Sequence, residues 1–310
     1  MSDMLYILEE ISLPIILLIA TGFVFQKIFS LDVRTFSKLA LYLLVPVVIF
    51  EKLYTTDVSW DFFIKVVPFV LLLQVIMYFA ALLFSALLHF KGSIRKAFTN
   101  SMVLINTGNY GIPLIDLVFR GDPLAAASQI FIVTIQNVTT CTFGVFQASS
   151  GNASKKRALV SIVKMPAIYA LLLVIVIKSL GITLPGAITK PLGYISDSFV
   201  ATAILALGVQ LAEVRLGRGL GRVMAASVIK VITAPLVGFA LALLLDIRGV
   251  LGAALIIGLS TPTAVNTAAL ALEFGNEQEF SAQVVFMTTV LCTFTLPLVI
   301  YFVRIYFGLA

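Results

Sequence analysis

Long, uninterrupted apolar runs are the feature that most constrains this chain. A helix needs about 20 apolar residues to cross a bilayer, so ten such spans would use about 200 of the 310 residues. The runs are continuous, whereas the strands of an outer-membrane barrel alternate apolar and polar residues. The sequence therefore predicts an all-α membrane protein with ten transmembrane helices, at residues 5–26, 35–54, 63–88, 97–118, 125–147, 158–178, 191–213, 222–245, 249–272 and 281–303.

The composition excludes most other classes of protein. Hydrophobic residues make up 60% of the chain and charged residues 12%, against about 45–50% and about 25% in soluble domains. No stretch outside the runs is long enough for a second domain, so residues 1–310 are interpreted as one integral membrane domain. The net charge of +6 resides in short loops, and we expect no nucleic-acid partner. Because Cys141 and Cys292 both fall inside apolar runs, we expect no metal cluster and no cofactor.

Loop cations predict the orientation of the spans. One set of loops carries thirteen Lys and Arg residues, and the opposite set carries seven. Cytoplasmic loops are enriched in Lys and Arg, so we expect the richer set to be cytoplasmic and both termini to be extracytoplasmic, in the bacterial inner (plasma) membrane. The richer set comprises Lys27, Arg34, Lys38, Lys91, Arg95, Lys96, Lys155, Lys156, Arg157, Lys164, Arg215, Arg218 and Arg222.

Similar landmarks recur about 150 residues apart. The triplet Cys-Thr-Phe at 141–143 returns at 292–294, and the proline in the middle of span 4 has a counterpart in span 9, 149 residues later. Internal similarity of this kind indicates a duplicated unit. Because each unit has five spans, an odd number, the two copies must be inverted relative to each other in the membrane. The sequence thus predicts two inverted five-helix repeats, residues 1–150 and 151–310.

Prolines and polar residues interrupt spans 4 and 9 near their middle. A proline inside a helix removes one backbone hydrogen bond and clashes with the preceding turn. In hydrocarbon, the freed groups are tolerated only where protein or a water-filled cavity satisfies them. Simple proline kinks are the alternative interpretation, but the matching positions, the polar side chains and the depth favour a binding site. The predicted substrate-binding residues here are Asn106, Thr107, Asn109, Pro113, Thr261, Pro262 and Asn266.

The direction of the two half-helices favours an anionic ligand. Spans 4 and 9 run in opposite directions, so half-helices that start near Pro113 and near Pro262 both have their N-termini at the midplane. Each N-terminus carries about half a positive charge and free N–H groups. If the breaks cross, the site attracts a carboxylate without any Lys or Arg. Asn106, Asn109 and Asn266 are expected on the cytoplasmic side of the crossing.

Three further polar residues inside the spans have two interpretations each. Gln136 and Asn137, in the centre of span 5, either bond the broken backbones or contact the substrate. Asp116 is predicted in the first turn after Pro113, where it either stabilises that helix start or is a protonatable group that couples transport. Asp116 has no evident acidic partner within the spans, which argues against an intramembrane protease, and we expect no enzyme activity and no metal site.

Two segments resemble the signature regions of a known family. Residues 106–114 and 262–275 are similar to those of the auxin efflux carrier family, which includes plant PIN-type exporters and bacterial malate or malonate permeases. Residues 207–212 of span 7 and the pair at 136–137 fit the bacterial branch, and the similarity extends over the whole chain. The resemblance implies that spans 4 and 9 cross at their prolines in a mobile transport domain. It also implies that spans 1, 2, 6 and 7 form a dimerising scaffold.

These observations together predict a secondary active transporter of the elevator type. Its substrate would be a small organic anion, bound where the two broken helices cross. The expected partners are that anion, the lipid bilayer and a second copy of the chain. Two alternatives stay open, namely a sodium-coupled organic anion symporter with the same crossed helices and a membrane ligand sensor that does not transport.

Overall fold

The chain folds almost entirely into helices. The computed structural model describes residues 2–57, 59–149, 160, 163–217 and 219–309, and within these residues no β-strand forms. Seven helices of this described part are long and apolar enough to cross a membrane. The prediction of an all-α membrane protein is confirmed at this level.

The helices follow the predicted apolar runs closely. Most boundaries differ from the predicted ones by only a few residues. The predicted start of span 6 at residue 158, the loop cations at 155–157 and Arg218 lie outside the described residues. In chain order the helices are α1 (Asp3–Phe29), α2 (Val33–Thr55), α3 (Trp60–Leu87), α4 (Gly92–Val103), α5 (Ile112–Phe119), α6 (Pro123–Ala148), α7 (Pro166–Ser179), α8 (Gly186–Ala212), α9 (Leu220–Leu244), α10 (Gly249–Leu259), α11 (Asn266–Glu273) and α12 (Gln278–Phe307).

Short polar side chains start several helices at the edges of the apolar runs. Asp32 precedes α2 and accepts a hydrogen bond from the backbone N–H of Arg34 at 3.0 Å. Asp122 precedes α6 and accepts from the N–H groups of Leu124 and Ala125, at 2.9 and 3.0 Å. Such caps satisfy N–H groups that the first turn leaves free. The polar residue before an apolar run therefore marks where each of these helices begins.

The helices pack into two groups. In the first group, α8 packs against α1 and α2, and α7 packs against α2. In the second group, α9 packs against α12, α3 against α4, and α6 against α10, with α5 beside α6 and α11 beside α12. Large apolar side chains such as Phe79 and Phe302 remain exposed on the outside, as expected where lipid is the solvent.

The first group contains an unusually close contact between helices α1 and α8. A Cβ atom added at Gly22 would overlap the backbone carbonyl of Leu205, and one added at Gly208 would overlap the backbone of Ile19. Small residues at such positions let two membrane helices approach until their backbones touch. The pair α1 and α8 is therefore held together by direct backbone contact.

We expect Gly208→Ala to destabilise the folded protein by about 1–3 kcal/mol, the usual cost of overpacking a well-packed site. The obstacle is the Ile19 carbonyl, part of a helix backbone that cannot rotate away. The measurement is the thermal unfolding midpoint of the detergent-solubilised protein. Gly193→Ala is the matched control, because Gly193 lies on the same helix with open space around its Cβ position. Equal midpoints for the two variants would contradict the close contact.

Candidate functional site

The two interruptions predicted from the sequence lie against each other. Residues 104–111 separate α4 from α5, residues 260–265 separate α10 from α11, and the two stretches form an antiparallel bridge between Ile105 and Thr263. The N–H of Asn106 donates to the carbonyl of Pro262 at 2.8 Å, and the N–H of Ala264 donates to the carbonyl of Leu104 at 2.9 Å. Backbone groups freed by one break are thus satisfied by the other.

Thr263 holds this crossing together and was not among the residues predicted from the sequence. Its side chain is fully buried, and its Oγ1 donates to the carbonyl of Ser101 at 2.8 Å. Its N–H donates to Oγ1 of Thr288 on α12 at 3.2 Å. The chain therefore connects both breaks and a third helix through one threonine. A threonine between two predicted site residues, Pro262 and Asn266, was the available signal.

The helix after the first break begins at Ile112, beside Pro113, and a π-helical turn precedes it. A π-helical turn, Thr107–Gly111, leads directly into α5, and Pro113 is the second residue of α5. The half-helix thus starts next to Pro113, as predicted, and the π-helical turn before it is an addition that the sequence did not indicate. Proline has no N–H to donate to the carbonyl of Asn109 four residues before it, while its fixed φ suits the early turns of a helix. The wide turn consequently lies before the proline, and Asn106 occupies the N-cap position.

The helix after the second break begins later than predicted. Pro262 lies in the extended stretch, and α11 starts at Asn266 with Val265 at its N-cap. A start near Pro262 is wrong because the pairing of this stretch with the other break keeps it extended. Neither Asn106 nor Val265 makes a side-chain cap bond to its helix. Both helix starts thus lack the polar cap that begins α2 and α6.

Asp116 lies deeper in its helix than expected. It is the fifth residue of α5, and the π-helical turn precedes it, so its predicted place in the first turn is wrong. It lines a small separate cavity of about 20 Å³, together with Lys52 and Asp122. The structure does not bring Asp116 to the crossing.

A cavity of about 190 Å³ lies beside the crossing, between the two groups of helices. One wall comes from α2 and α8, and the other comes from α6 and the two breaks. Three π-helical segments contribute to this lining, and such segments are frequent at functional sites. The polar lining side chains are Ser37, Asn106, Thr107, Asn109, Gln136, Asn137, Thr140, Gln210 and Asn266.

The lining offers amide groups and no charge. Among the described residues that surround the cavity, none is Lys, Arg, Asp or Glu. The side-chain nitrogens of Asn106 and Gln136 are buried and have no hydrogen-bond partner in the described part of the chain, and the same is true of the side-chain oxygen of Gln210. A buried polar group without a partner is costly. These atoms are therefore available for a ligand.

Gln136 is held in place by its neighbours. Its Oε1 accepts from Nε2 of Gln74 at 3.3 Å, and Oε1 of Gln74 accepts from Thr139 at 2.8 Å. The side-chain nitrogen of Gln136 has no hydrogen-bond partner among the described residues. Among the described residues, the Gln136 side chain bonds to Gln74 and not to the broken backbones, and its contact with a substrate stays a prediction.

Three predicted site residues do not line the cavity. Pro113, Thr261 and Pro262 are buried in or beside the crossing, and Thr261 donates to the carbonyl of Gly258 at 2.9 Å. They shape the breaks instead of facing the cavity. The other predicted substrate-binding residues are all brought together around it.

Gln129 supports the break directly, although it is not among the residues predicted from the sequence. It is buried in α6, and its Nε2 donates to the carbonyl of Thr107 at 2.6 Å. A Cβ added at either Gly111 or Gly258 would overlap its amide. The available signal was its spacing, since Gln129 lies seven residues before Gln136 and so two turns away on the same helix face.

Comparisons with known proteins give a consistent result over nearly the whole chain. The sequence profile of one family, described as membrane transport protein, matches residues 7–300. An uncharacterized transporter from Methanothermobacter thermautotrophicus is 22% identical over 293 residues, covering 93% of this chain and 96% of that protein. An uncharacterized transporter from Methanocaldococcus jannaschii is 25% identical over 296 residues, covering 90% and 94%. Both relatives therefore match this chain along almost their full length.

Proposed function

The chain belongs to the auxin efflux carrier family of membrane transport proteins, and from this premise we propose that it is a secondary active transporter of a small organic anion. The substrate binds in the cavity beside the two crossed breaks, with its carboxylate against the side-chain amides. As a member of a transporter family, the protein is an integral membrane protein, and its task is movement of a solute, not its chemical conversion.

The observation that carries the proposal is the set of unpaired donors in an uncharged cavity. The nitrogens of Asn106 and Gln136 have no partner among the described residues, and the starts of α5 and α11 have no side-chain cap there. Helix N-termini favour negative charge. Amide donors bind a carboxylate without a fixed charge that would hold it too tightly for release.

The size of the cavity supports a small substrate. Its volume of about 190 Å³ is below the range of about 300–1,000 Å³ that is usual for drug-sized ligands. Asn109, Asn137 and Asn266 add further amides around the same space. A monocarboxylate or dicarboxylate of a few carbons suits this volume.

We further propose ten membrane spans in two inverted repeats, residues 1–150 and 151–310. In this scheme α4 with α5 and α10 with α11 each form one interrupted span. The packing supports this scheme, because contacts made by helices of one half recur between the corresponding helices of the other half. The contact of α1 with α8 corresponds to that of α7 with α2, and the contact of α3 with α4 corresponds to that of α9 with α10. Both termini then lie outside the cytoplasm, in the inner (plasma) membrane.

The position of the cavity supports an elevator mechanism. It lies between the group with α1, α2, α7 and α8 and the group that contains the breaks. The two groups also meet at Tyr6, whose hydroxyl accepts from Nε of Arg120 at 3.0 Å. In the proposal the second group carries the substrate past the first, which acts as the dimerising scaffold. Asp116, in its separate cavity, remains the candidate for coupling.

The test is uptake by the purified protein in proteoliposomes. Radiolabelled malonate, malate and pyruvate are offered with and without imposed proton and sodium gradients. We expect at least one acid to accumulate and to raise the thermal unfolding midpoint, while malonamide, the neutral amide of malonate, does neither. Equal effects of acid and amide would contradict an anion site. Binding without flux would indicate a sensor, and a strict need for sodium would indicate a symporter.

A further inference from the structure

Lys230 is a buried lysine in the middle of a membrane helix. It lies on α9, its side chain is 1% exposed, and its ammonium nitrogen donates to the carbonyl of Met102 at 3.1 Å. No carboxylate of the described residues lies within ion-pair distance of it. It does not line the substrate cavity.

A buried lysine of this kind lowers the stability of the folded protein if it has only a structural role. A charged side chain in the hydrocarbon region costs several kcal/mol unless it is paired, and an apolar side chain of similar size would pack there without that cost. Among the described residues, the Lys230 side chain donates one hydrogen bond, to a backbone carbonyl, and the buried thiol of Cys292 lies near it. Its presence therefore points to a role for the charge.

The partner of Lys230 is at the C-terminal end of a broken helix. Met102 is the last residue but one of α4, where the carbonyl groups lack partners within the helix and carry the negative end of its dipole. Nearby carbonyls of this end are satisfied by the other break, Ser101 by Thr263 and Leu104 by Ala264. The Met102 carbonyl instead accepts its hydrogen bond from the ammonium group of Lys230.

Carriers with broken helices use such ends to bind coupling cations, since carbonyls at half-helix C-termini coordinate sodium. We propose that the ammonium of Lys230 is a built-in cation that holds the broken end of α4 in place of a bound sodium ion. The proposal rests on the proposed transport function. It makes Lys230 a positioning residue, and it makes transport by this chain independent of sodium.

The first test measures stability and does not depend on any substrate. Lys230→Ala leaves a space with the shape of propylammonium, which supplies the missing carbons and the charge. We expect propylammonium chloride to raise the unfolding midpoint of purified Lys230→Ala by about 2–4 °C relative to choline chloride. The wild type should not respond. Lys27→Ala is the matched control, since Lys27 donates to the Ala212 carbonyl at the end of α8, away from the breaks.

The second test measures transport in proteoliposomes. Lys230→Met keeps most of the volume and removes the charge, and we expect malonate uptake to fall at least about tenfold with the protein still folded. Propylammonium should restore part of the uptake of Lys230→Ala and none of that of Lys27→Ala. Wild-type uptake should be the same when choline replaces all sodium.

Several outcomes would overturn the inference. Normal uptake by Lys230→Met, no response of Lys230→Ala to propylammonium, or a sodium requirement in the wild type would each do so. If neither Lys230 variant folds, the wild-type sodium measurement still decides. Failure of the wild type to move any acid would contradict the proposed function instead, while the stability response of Lys230→Ala would remain a separate result.

Discussion

Replacing Asn106 with alanine is expected to weaken carboxylate binding by about 1–3 kcal/mol, which is about 5–150-fold in affinity. The side-chain nitrogen of Asn106 is buried at the cavity without a partner, so a bound carboxylate is its natural acceptor. The measurement is the affinity of the purified variant for malonate. Asn100→Ala is the matched control, because Nδ2 of Asn100 already donates to the Gly144 carbonyl at 3.0 Å, away from the cavity. That variant should lose stability and keep its affinity.

The corresponding change in the other half is Asn266→Ala. Asn266 is the first residue of α11 and lines the same cavity, so we expect a loss in the same range. In the proposed topology both asparagines lie on the cytoplasmic side of the crossing, and the loss should be largest for substrate offered from that side. Affinity in inside-out and right-side-out vesicles measures this. Wild-type affinity in both variants would contradict this assignment and indicate that Gln136 and Asn137 bind the carboxylate.

Pro262→Ala is expected to reduce transport at least about tenfold while the protein still folds. Alanine lets α10 continue as a helix. The carbonyl of residue 262 then moves away from the N–H of Asn106, and the N–H of Ala264 moves away from the carbonyl of Leu104. Each such bond is worth about 0.5–1.5 kcal/mol, and 1.4 kcal/mol corresponds to a factor of ten. Malonate uptake, with circular dichroism as the test of folding, measures the effect.

Pro113→Ala is the informative comparison. Pro113 lies inside α5, where alanine restores one bond to the Asn109 carbonyl and does not touch the antiparallel bridge. We therefore expect a smaller loss than for Pro262→Ala. Normal uptake by Pro262→Ala would mean that this proline is only a kink, and a larger loss for Pro113→Ala would contradict the pairing described for the crossing.

The sequence alone identified the helical membrane fold, both breaks and most of the polar residues at the cavity. These followed from local features, namely continuous apolar runs and prolines beside asparagine and threonine. Asn106 and Asn266 were found in this way although 160 residues separate them in the chain. Local patterns are informative about these features because the bilayer penalises every unsatisfied polar group.

The remaining features depend on contacts between distant segments. The start of α11 differs from the prediction because pairing of the two breaks decides how much chain stays extended. Gln129 and Thr263 had only weak sequence signals, and their roles become clear once their partners, Thr107 and Ser101, are known. The sequence shows Lys230 as a cation within a span, but its inferred role depends on its contact with the Met102 carbonyl, which only the structure shows.

The backbone contact between α1 and α8 has a consequence for how the molecule can change shape. Two helices that touch through Gly22 and Gly208 have no layer of side chains between them to rearrange, so neither can slide along the other without a clash. Shear of one packed helix past another needs side chains that can adopt new rotamers. Between α1 and α8 that freedom is absent. In the proposed elevator mechanism, displacement would therefore occur along the surface that borders the cavity, where amides and open space replace interlocked backbones, with the α1–α8 pair as the fixed reference for that movement.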